Sequence, residues 1–250
     1  MPLNAPLSRK PKTAWTPTKA EKYRRRWRAT RKGAVASRIM ADLQIAGYEA
    51  ALKAHARGRL VDLGCGNAPF TGIYSSLVTK FVWADWPNSP HQLFELDVET
   101  DLNRPPLPFE DAAFDTILLS DVLEHIAEPD LLFAELARVL SPGGRLIVGV
   151  PFCYAIHEQP YDFYRYTRYK LQHFGEKHGL SVVELHEIGG GFDVLSDVAS
   201  KLLGGIWSPL ARLPYYAWKV FNSLPLARAL NARAAEKLPL AYLAVYAARA

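Results

Sequence analysis

Two stretches of this sequence gather residue types that can do chemistry. The first is Val61-Asp62-Leu63-Gly64-Cys65-Gly66-Asn67-Ala68-Pro69, an apolar run feeding a glycine turn, with Asp85 about twenty residues beyond it. Glycine has no Cβ, so such a turn admits positive φ and lets a ligand lie against the backbone. A helix starting there offers free N–H groups to a carboxylate or phosphate. Asp85 follows a second apolar run and is positioned to accept hydrogen bonds from two ribose hydroxyls; its plainer reading is a strand-end turn residue. A dinucleotide fingerprint asks for a third glycine where Pro69 stands, which weakens a pyrophosphate reading and leaves nicotinamide chemistry as the alternative.

The second stretch is His157-Glu158-Gln159-Pro160-Tyr161-Asp162-Phe163-Tyr164-Arg165-Tyr166-Thr167, with one histidine, two acids, one arginine and four aromatics. His157 has the chemistry to remove a hydroxyl proton, Asp162 to orient it or grip a hydroxyl, and Arg165 to bind a carboxylate or phosphate bidentately. The competing reading is local: Asp162 and Arg165, three apart, pair with each other, and Tyr161, Tyr164 and Tyr166 serve as packing. A metal held by His157, Glu158 and Asp162 lacks a visible fourth ligand, so no metal is expected there. Asp121 and His125 lie in an earlier loop, where His125 reads first as a structural residue.

The elements that must position these residues alternate. Residues 34–57 have helical apolar spacing and end at Gly58. Strands are expected at 59–63, 81–84, 92–98, 114–120 and 145–150, with helices at 69–78 and 129–140; Pro129 suits a first helical turn. The continuous apolar run at 145–150 is the mark of a strand buried on both faces. This alternation predicts a parallel sheet wrapped by helices. Beyond it come a helix at 168–178, a strand at 180–187, a helical insert over 194–236 broken by glycine and proline, and a last strand at 240–247.

The chain has 250 residues, 49% hydrophobic and 22% charged, which fits one sizeable folded domain and excludes a disordered or fibrous chain. Its two cysteines, Cys65 and Cys153, can make neither a disulfide framework nor a four-thiolate zinc site, and they fit a reducing, cytoplasmic setting. No stretch approaches the roughly 18 apolar residues of a membrane-spanning helix. Residues 1–32 hold eleven Lys or Arg against Glu21 alone, so the net charge of +5 is a tail property and the remainder is −5. With Pro2, Pro6, Pro11 and Pro17, the tail is expected to be largely disordered, and its basic run at 22–32 to meet anionic lipid, nucleic acid or another polyanion, or simply water.

Taken together, Val61-Asp62-Leu63-Gly64-Cys65-Gly66, Asp85, Asp97-Val98, Phe114-Asp115-Thr116-Ile117, Leu123-Glu124-His125-Ile126 and Glu135-Leu136-Ala137-Arg138-Val139-Leu140-Ser141-Pro142-Gly143-Gly144 resemble a class I S-adenosylmethionine-dependent methyltransferase of the type 11 group. The resemblance covers about residues 58–151. It implies an α/β, Rossmann-like, seven-stranded and mostly parallel sheet with helices on both faces. Its last strand is antiparallel, inserted between the fifth and sixth, and the helical insert lies between strands six and seven. The expected organisation is a tail at 1–32 and a methyltransferase domain at 33–250, with the cofactor core at 58–151 and acceptor-side elements at 152–250.

The resemblance also implies the cofactor, S-adenosyl-L-methionine. Asp62 and the backbone of Gly64, Cys65 and Gly66 would hold its methionine part, Asp85 its ribose, and Trp86 would flank the adenine. Asp97 and the Val98 backbone would read the adenine edge, and Ser120 to Val122, Asp121 among them, would border the sulfonium. His157 and Asp162 are the candidate catalytic residues, and His125, Tyr161, Tyr164 and Arg165 the candidate acceptor contacts. The loop at 157–167 more loosely resembles bacterial relatives associated with surface glycans and secondary metabolites. The expected reaction is methyl transfer to a small-molecule or lipid-linked acceptor, at an oxygen of a glycan or related metabolite, with peripheral contact at the inner face of the membrane. The alternatives are an RNA methyltransferase using the basic tail, and a non-catalytic nucleoside-binding module.

Overall fold

The computed structural model describes residues 9–24, 26–30, 33–89, 91 and 93–249. The amino-terminal segment corrects the expectation of disorder for the part of the tail that is described. β1 (Ala20–Tyr23) and β2 (Arg26–Ala29) form an antiparallel hairpin, Ala20 opposite Ala29. Ahead of the hairpin, Lys10 bridges Phe94 in parallel, donating to Leu93 O at 2.9 Å and accepting from Glu95 N at 2.8 Å. Prolines forbid a helix but tolerate extended backbone. Trp15 and Trp27 supply the anchor: both rings crowd the space above Gly72, where a Cβ would lie 2.4 Å from Trp27. The charges of Lys22, Arg24 and Arg26 stay exposed.

α1 (Arg38–His55) follows, burying Ile39, Met40, Ile45, Tyr48 and Leu52 along one face. Then come β3 (Arg59–Leu63), α2 (Thr71–Tyr74), β4 (Lys80–Asp85), β5 (Val98–Glu99), β6 (Phe114–Ser120), α3 (Pro129–Val139), β7 (Leu140–Pro151), α4 (Arg168–Lys177) and β8 (Leu180–Ile188). The chain ends with α5 (Gly191–Ile206), α6 (Arg212–Ser223), α7 (Pro225–Ala235) and β9 (Ala241–Ala248). The sheet order is β5-β4-β3-β6-β7-β9-β8. β3 to β7 pair in parallel, and β9 runs antiparallel between β7 and β8. The expected fold class is therefore observed, with the last strand where the resemblance implied.

Strand periodicity sends alternate residues to opposite layers. Val61, Ile117, Leu119, Val148 and Ala244 meet α3 and α4 through Leu132, Phe133, Leu136 and Phe174, whereas Leu60, Leu118, Ile147 and Leu243 meet α1 and α2 through Ile45, Tyr48 and Ile73. Local differences have local causes. Of the strand expected at 92–98, Gln92 lies outside the described residues and the observed strand is Val98–Glu99, since Leu93 and Glu95 bond to Lys10 and not to β4. The helix expected at 69–78 is one turn, Thr71–Tyr74. The break at 141–144 lies inside β7, since Leu140 already pairs with Phe114.

The insert inverts the usual amphipathic rule. α5 turns Asp193, Asp197 and Ser200 inward, while Leu195, Val198, Leu202 and Ile206 are between 45% and 76% exposed. Asp193 explains the inversion by joining three helices: it accepts from Trp218 Nε1 at 2.6 Å on α6 and from Asn231 Nδ2 at 2.6 Å on α7. It also caps the start of α5 by accepting from Gly190 N at 2.7 Å.

Candidate active site

β3 ends in a bend whose glycines take left-handed backbone, φ +66° at Gly64 and +51° at Gly66. A Cβ on Gly64 would lie 2.5 Å from Val122 Cγ2, so the loop after β6 rests directly on the bend. Gly64 N donates to Ala84 O at 2.8 Å, which ties the bend to β4. At the end of that strand, Asp85 Oδ2 accepts from Gly66 N and Oδ1 from Trp86 N, each at 2.7 Å. Burial raises the Asp85 pKa against the pull of those two donors.

Asp62 is wholly buried in β3. Its Oδ2 accepts from Tyr74 Oη at 3.0 Å, and its Oδ1 has no partner. Burial pushes this carboxyl up to about 7. The neighbouring Cys65 is also buried, and burial raises its thiol well above the usual range. Asp97 Oδ2 accepts from Trp83 N at 2.7 Å and is paired with the Lys12 ammonium, so the amino-terminal segment reaches this rim of the site. Val98 opens β5 opposite Ala84. Trp86 meets Tyr161 edge-on, ring centroids 6.0 Å apart, which joins the rim beside Asp85 to the loop after β7.

Beyond Ser120, Asp121 adopts φ +54°, an uncommon conformation for a residue with a Cβ. Its amide donates to Gly149 O at 3.0 Å, its Oδ1 accepts from Gln44 Nε2 at 2.6 Å, and Lys19 Nζ stands 3.7 Å away; burial raises its pKa. A 3-10 turn at Leu123–His125 then carries Glu124 and His125 toward the loop after β7. Glu124 is wholly buried with both carboxylate oxygens unpartnered by hydrogen bonds. His157 Nε2 lies 3.6 Å and His125 Nε2 3.8 Å from Glu124 Oε1. The two imidazoles meet edge-on at 4.9 Å. Glu124 holds the His157 proton more firmly than is usual for an imidazole.

Asp162 secures His157 from the other side, accepting from its backbone N at 2.9 Å and lying 3.3 Å from Nδ1. Asp162 is itself clamped by Arg165 through two hydrogen bonds, 2.5 and 2.8 Å, which drive its carboxyl below the usual range. The pairing reading of these two residues is the one observed, and the guanidinium expected to grip an acceptor is already engaged. Tyr164 is likewise committed: its hydroxyl donates to Ala127 O at 2.9 Å. His125 Nδ1 lies 2.9 Å from Tyr161 O, which brings these two expected acceptor contacts together. The trio His157, Glu158 and Asp162 does not converge, because Glu158 pairs with His91 at 3.0 Å and Asp162 with Arg165.

A cavity of about 330 Å³ opens beside the imidazoles, lined among others by Lys19, Gln44, Asp121, Glu124, Tyr154 and His157. Sequence reasoning used Glu124 only as one letter of a motif. The available signal was a carboxylate beside His125, flanked by Leu123 and Ile126, in the loop just past the end of β6. Gln44 carried a similar signal, as a polar residue on the buried face of an apolar helix.

Comparison with known proteins agrees with this geometry. The family described as "Methyltransferase domain" matches residues 61–148. A 72-residue stretch, 28% of this chain, is 39% identical to the ubiquinone/menaquinone biosynthesis C-methyltransferase UbiE of Saccharophagus degradans and covers 28% of that protein. The chain spans between 28% and 39% of the length of the first three curated relatives it matches. Among solved structures, the methyltransferase of Haloferax volcanii in complex with the Trm112 activator superposes with TM-score 0.53 at 19% identity, over 87% of this chain and 99% of that one. Phosphoethanolamine N-methyltransferase 2 of Haemonchus contortus, solved with S-adenosyl-L-methionine, gives 0.50 at 15% identity over 86% and 56%. At those identities the structures share the fold alone. Over residues 61–148 the chain is similar to the methyltransferase-domain family, and it shares its fold with structures of S-adenosylmethionine-dependent methyltransferases.

Proposed function

We propose that the chain is an S-adenosylmethionine-dependent methyltransferase acting on an oxygen of a small-molecule or lipid-linked acceptor of the glycan or related metabolite class. The observation that carries the reading is the contact of Asp85 with the Gly66 amide, 2.7 Å, which sets a sugar-binding carboxylate against a bend open to an amino-acid backbone. The residues present fit the cofactor. Asp62 keeps an orphaned buried oxygen beside the bend, and a cationic amino group is the partner it lacks. Asp62 with the backbone of Gly64, Cys65 and Gly66 would hold the methionine part, Asp85 the ribose, Trp86 the adenine face, Asp97 and Val98 its edge, and Ser120 and Asp121 the sulfonium side.

When bound, S-adenosylmethionine supplies a methyl group on sulfur that is displaced in line, the C–S bond breaking as the new C–O bond forms and a neutral thioether leaving. The chain's part is alignment and exclusion of water. A hydroxyl acceptor must also lose its proton, and His157 is the group to take it, with Asp162 positioning the ring and Glu124 stabilising the imidazolium. His125 and Tyr161 border the acceptor.

The insert supports a lipid-linked acceptor. Its outward face combines Leu195, Leu202, Ile206, Trp207 and Leu213, all more than 60% exposed, with the exposed cations Arg212, Lys219, Arg228 and Arg233. That composition suits an anionic lipid surface. α5 also adjoins the cavity, since Lys201 lies over the Tyr154 ring at 4.2 Å. No helix among the described residues is long and apolar enough to cross a membrane, so the expected contact is peripheral.

Calorimetric titration tests the cofactor assignment. The protein should take up one equivalent of S-adenosylmethionine and ignore NAD. Uptake of NAD in its place would overturn the assignment.

A further inference from the structure

Glu124, His125 and His157 present an unusual combination. Their ligand atoms all lie within 4.8 Å of one another. Glu124 is 0% exposed with neither oxygen hydrogen-bonded, and His125 Nε2 is likewise buried without a partner. A buried carboxylate is strongly disfavoured unless a cation or donor meets it. Here the groups that face it are lone-pair-bearing ring nitrogens as readily as N–H donors. The other nitrogen of each ring decides which. His125 Nδ1 lies 2.9 Å from the Tyr161 carbonyl oxygen, which can only accept, so Nδ1 carries the hydrogen and the neutral ring's Nε2 lone pair points at Glu124. His157 Nδ1 faces Asp162 Oδ2 and Ala155 O, both 3.3 Å away and both acceptors, which selects the same tautomer. A ring that donates to a carbonyl or carboxylate through one nitrogen and offers the other inward has the outer support of a metal ligand.

We propose that Glu124, His125 Nε2 and His157 Nε2 form a binding site for a divalent first-row transition-metal ion, with the remaining coordination positions facing the cavity. Two imidazoles and one carboxylate favour ions such as Zn²⁺ or Mn²⁺ over Mg²⁺ and Ca²⁺, which prefer all-oxygen shells. Modest tightening suffices, because Glu124 Oε1 already lies 3.6 and 3.8 Å from the two ring nitrogens. Glu158 Oε2, 3.9 Å from His125 Nε2, is a fourth group within reach. Glu124, His157 and Glu158 also line the cavity, so an acceptor oxygen entering it would meet the ion. The ion's part in the reaction rests on the methyl-transfer reading. With the ion bound, the acceptor hydroxyl's pKa would fall so that its proton leaves to solvent, and His157, the base of the metal-free site, would then serve as a ligand. Binding of the ion itself does not depend on that reading.

The test uses the full chain, stripped with a chelator and titrated separately with Zn²⁺, Mn²⁺ and Mg²⁺, with S-adenosylmethionine titrated into the same preparations. One equivalent of Zn²⁺ or Mn²⁺ should bind, and Mg²⁺ should bind at least tenfold more weakly. Glu124→Gln and His157→Gln should each lower Zn²⁺ affinity at least tenfold, and Asp162→Asn about tenfold through ring orientation, while S-adenosylmethionine affinity stays within about twofold. A wild-type chain that takes up neither Zn²⁺ nor Mn²⁺ overturns the proposal, as do Glu124→Gln and His157→Gln variants that bind Zn²⁺ as tightly as the parent. The two substitutions lie on different loops, so loss of folding in one leaves the other decisive. Metal uptake without S-adenosylmethionine uptake would overturn the methyl-transfer reading and leave the metal site standing.

Discussion

Asp85 Oδ2 accepts the Gly66 amide at 2.7 Å, so the carboxylate that ends β4 braces the glycine bend that ends β3. One oxygen thus fixes the backbone on which, in the proposed reading, a ligand's amino-acid end would lie, and the same side chain would meet its sugar. Asp85→Ala removes two charge-assisted hydrogen bonds from the protein and those to the ribose. It should weaken S-adenosylmethionine binding by roughly two to four orders of magnitude, taking about 1.5–3 kcal/mol for each of the two ribose bonds. Asp85→Asn, which keeps the shape, should lose less. Isothermal titration of the two variants checks the order.

In the proposed reading, Asp62 should make cofactor binding depend on pH. Its folded-state pKa, about 7, lies above the ordinary 3.8 because of burial. The sign follows from linkage: the stability this group contributes is full below about pH 4 and is lost as pH rises through 7, by up to about 4 kcal/mol. A cationic ligand needs the ionised form, so S-adenosylmethionine affinity should fall about tenfold per unit below pH 7 and level off above it. Titrations from pH 5.5 to 8.5 should show that slope, and Asp62→Asn should flatten it. The same variant should melt higher than the parent at pH 8 in the absence of ligand.

In chelator-treated protein, the His157 proton should be held above the usual imidazole value of 6.5, because Glu124 faces Nε2. Glu124→Gln should bring it down toward the ordinary value. Proton NMR titration of the His157 ring measures this directly, and an unchanged titration in the variant would separate the two side chains. Saturating Zn²⁺ should abolish the titration over the same range, since a metal ligand cannot take up the proton.

The outward face of the insert should bind membranes. Vesicles with an anionic lipid fraction should retain the protein in flotation assays, more weakly at 0.5 M salt than at 0.05 M, because the exposed cations are then screened. Replacing Leu195, Leu202 and Ile206 together with serine should reduce retention at least tenfold while leaving S-adenosylmethionine binding intact, since each side chain gives up roughly 1–2 kcal/mol of burial. Equal retention by the triple variant would remove the lipid-surface reading. Capture of RNA in preference to vesicles would move the exposed cations of the hairpin to a different partner.

Much of the fold was legible because its signal is local. A continuous apolar run marked β7, helical spacing marked α1 and α3, and the glycines after Leu63 marked the bend. What escaped depends on contacts distant in sequence. The described part of the amino-terminal segment packs on the domain because Trp15 and Trp27 close over Gly72 and Lys10 bridges Phe94, partners that no window of adjacent residues reveals. The sequence shows only a helical insert broken by glycine and proline, and the polar side of α5 turns inward because Asp193 meets Trp218 and Asn231. At the site, Asp85 could be located from its strand, but the convergence of Glu124, His125 and His157 requires two loops to meet and was not visible in either one.

The most direct measurement is a crystal structure of the protein with S-adenosylhomocysteine. The account predicts ribose hydroxyls within hydrogen-bond distance of Asp85, the amino-acid end along Gly64 to Gly66 with its ammonium toward Asp62, and the sulfur facing the cavity that holds His157. A nucleoside bound elsewhere, with Asp85 still spent on the Gly66 and Trp86 amides alone, would contradict it.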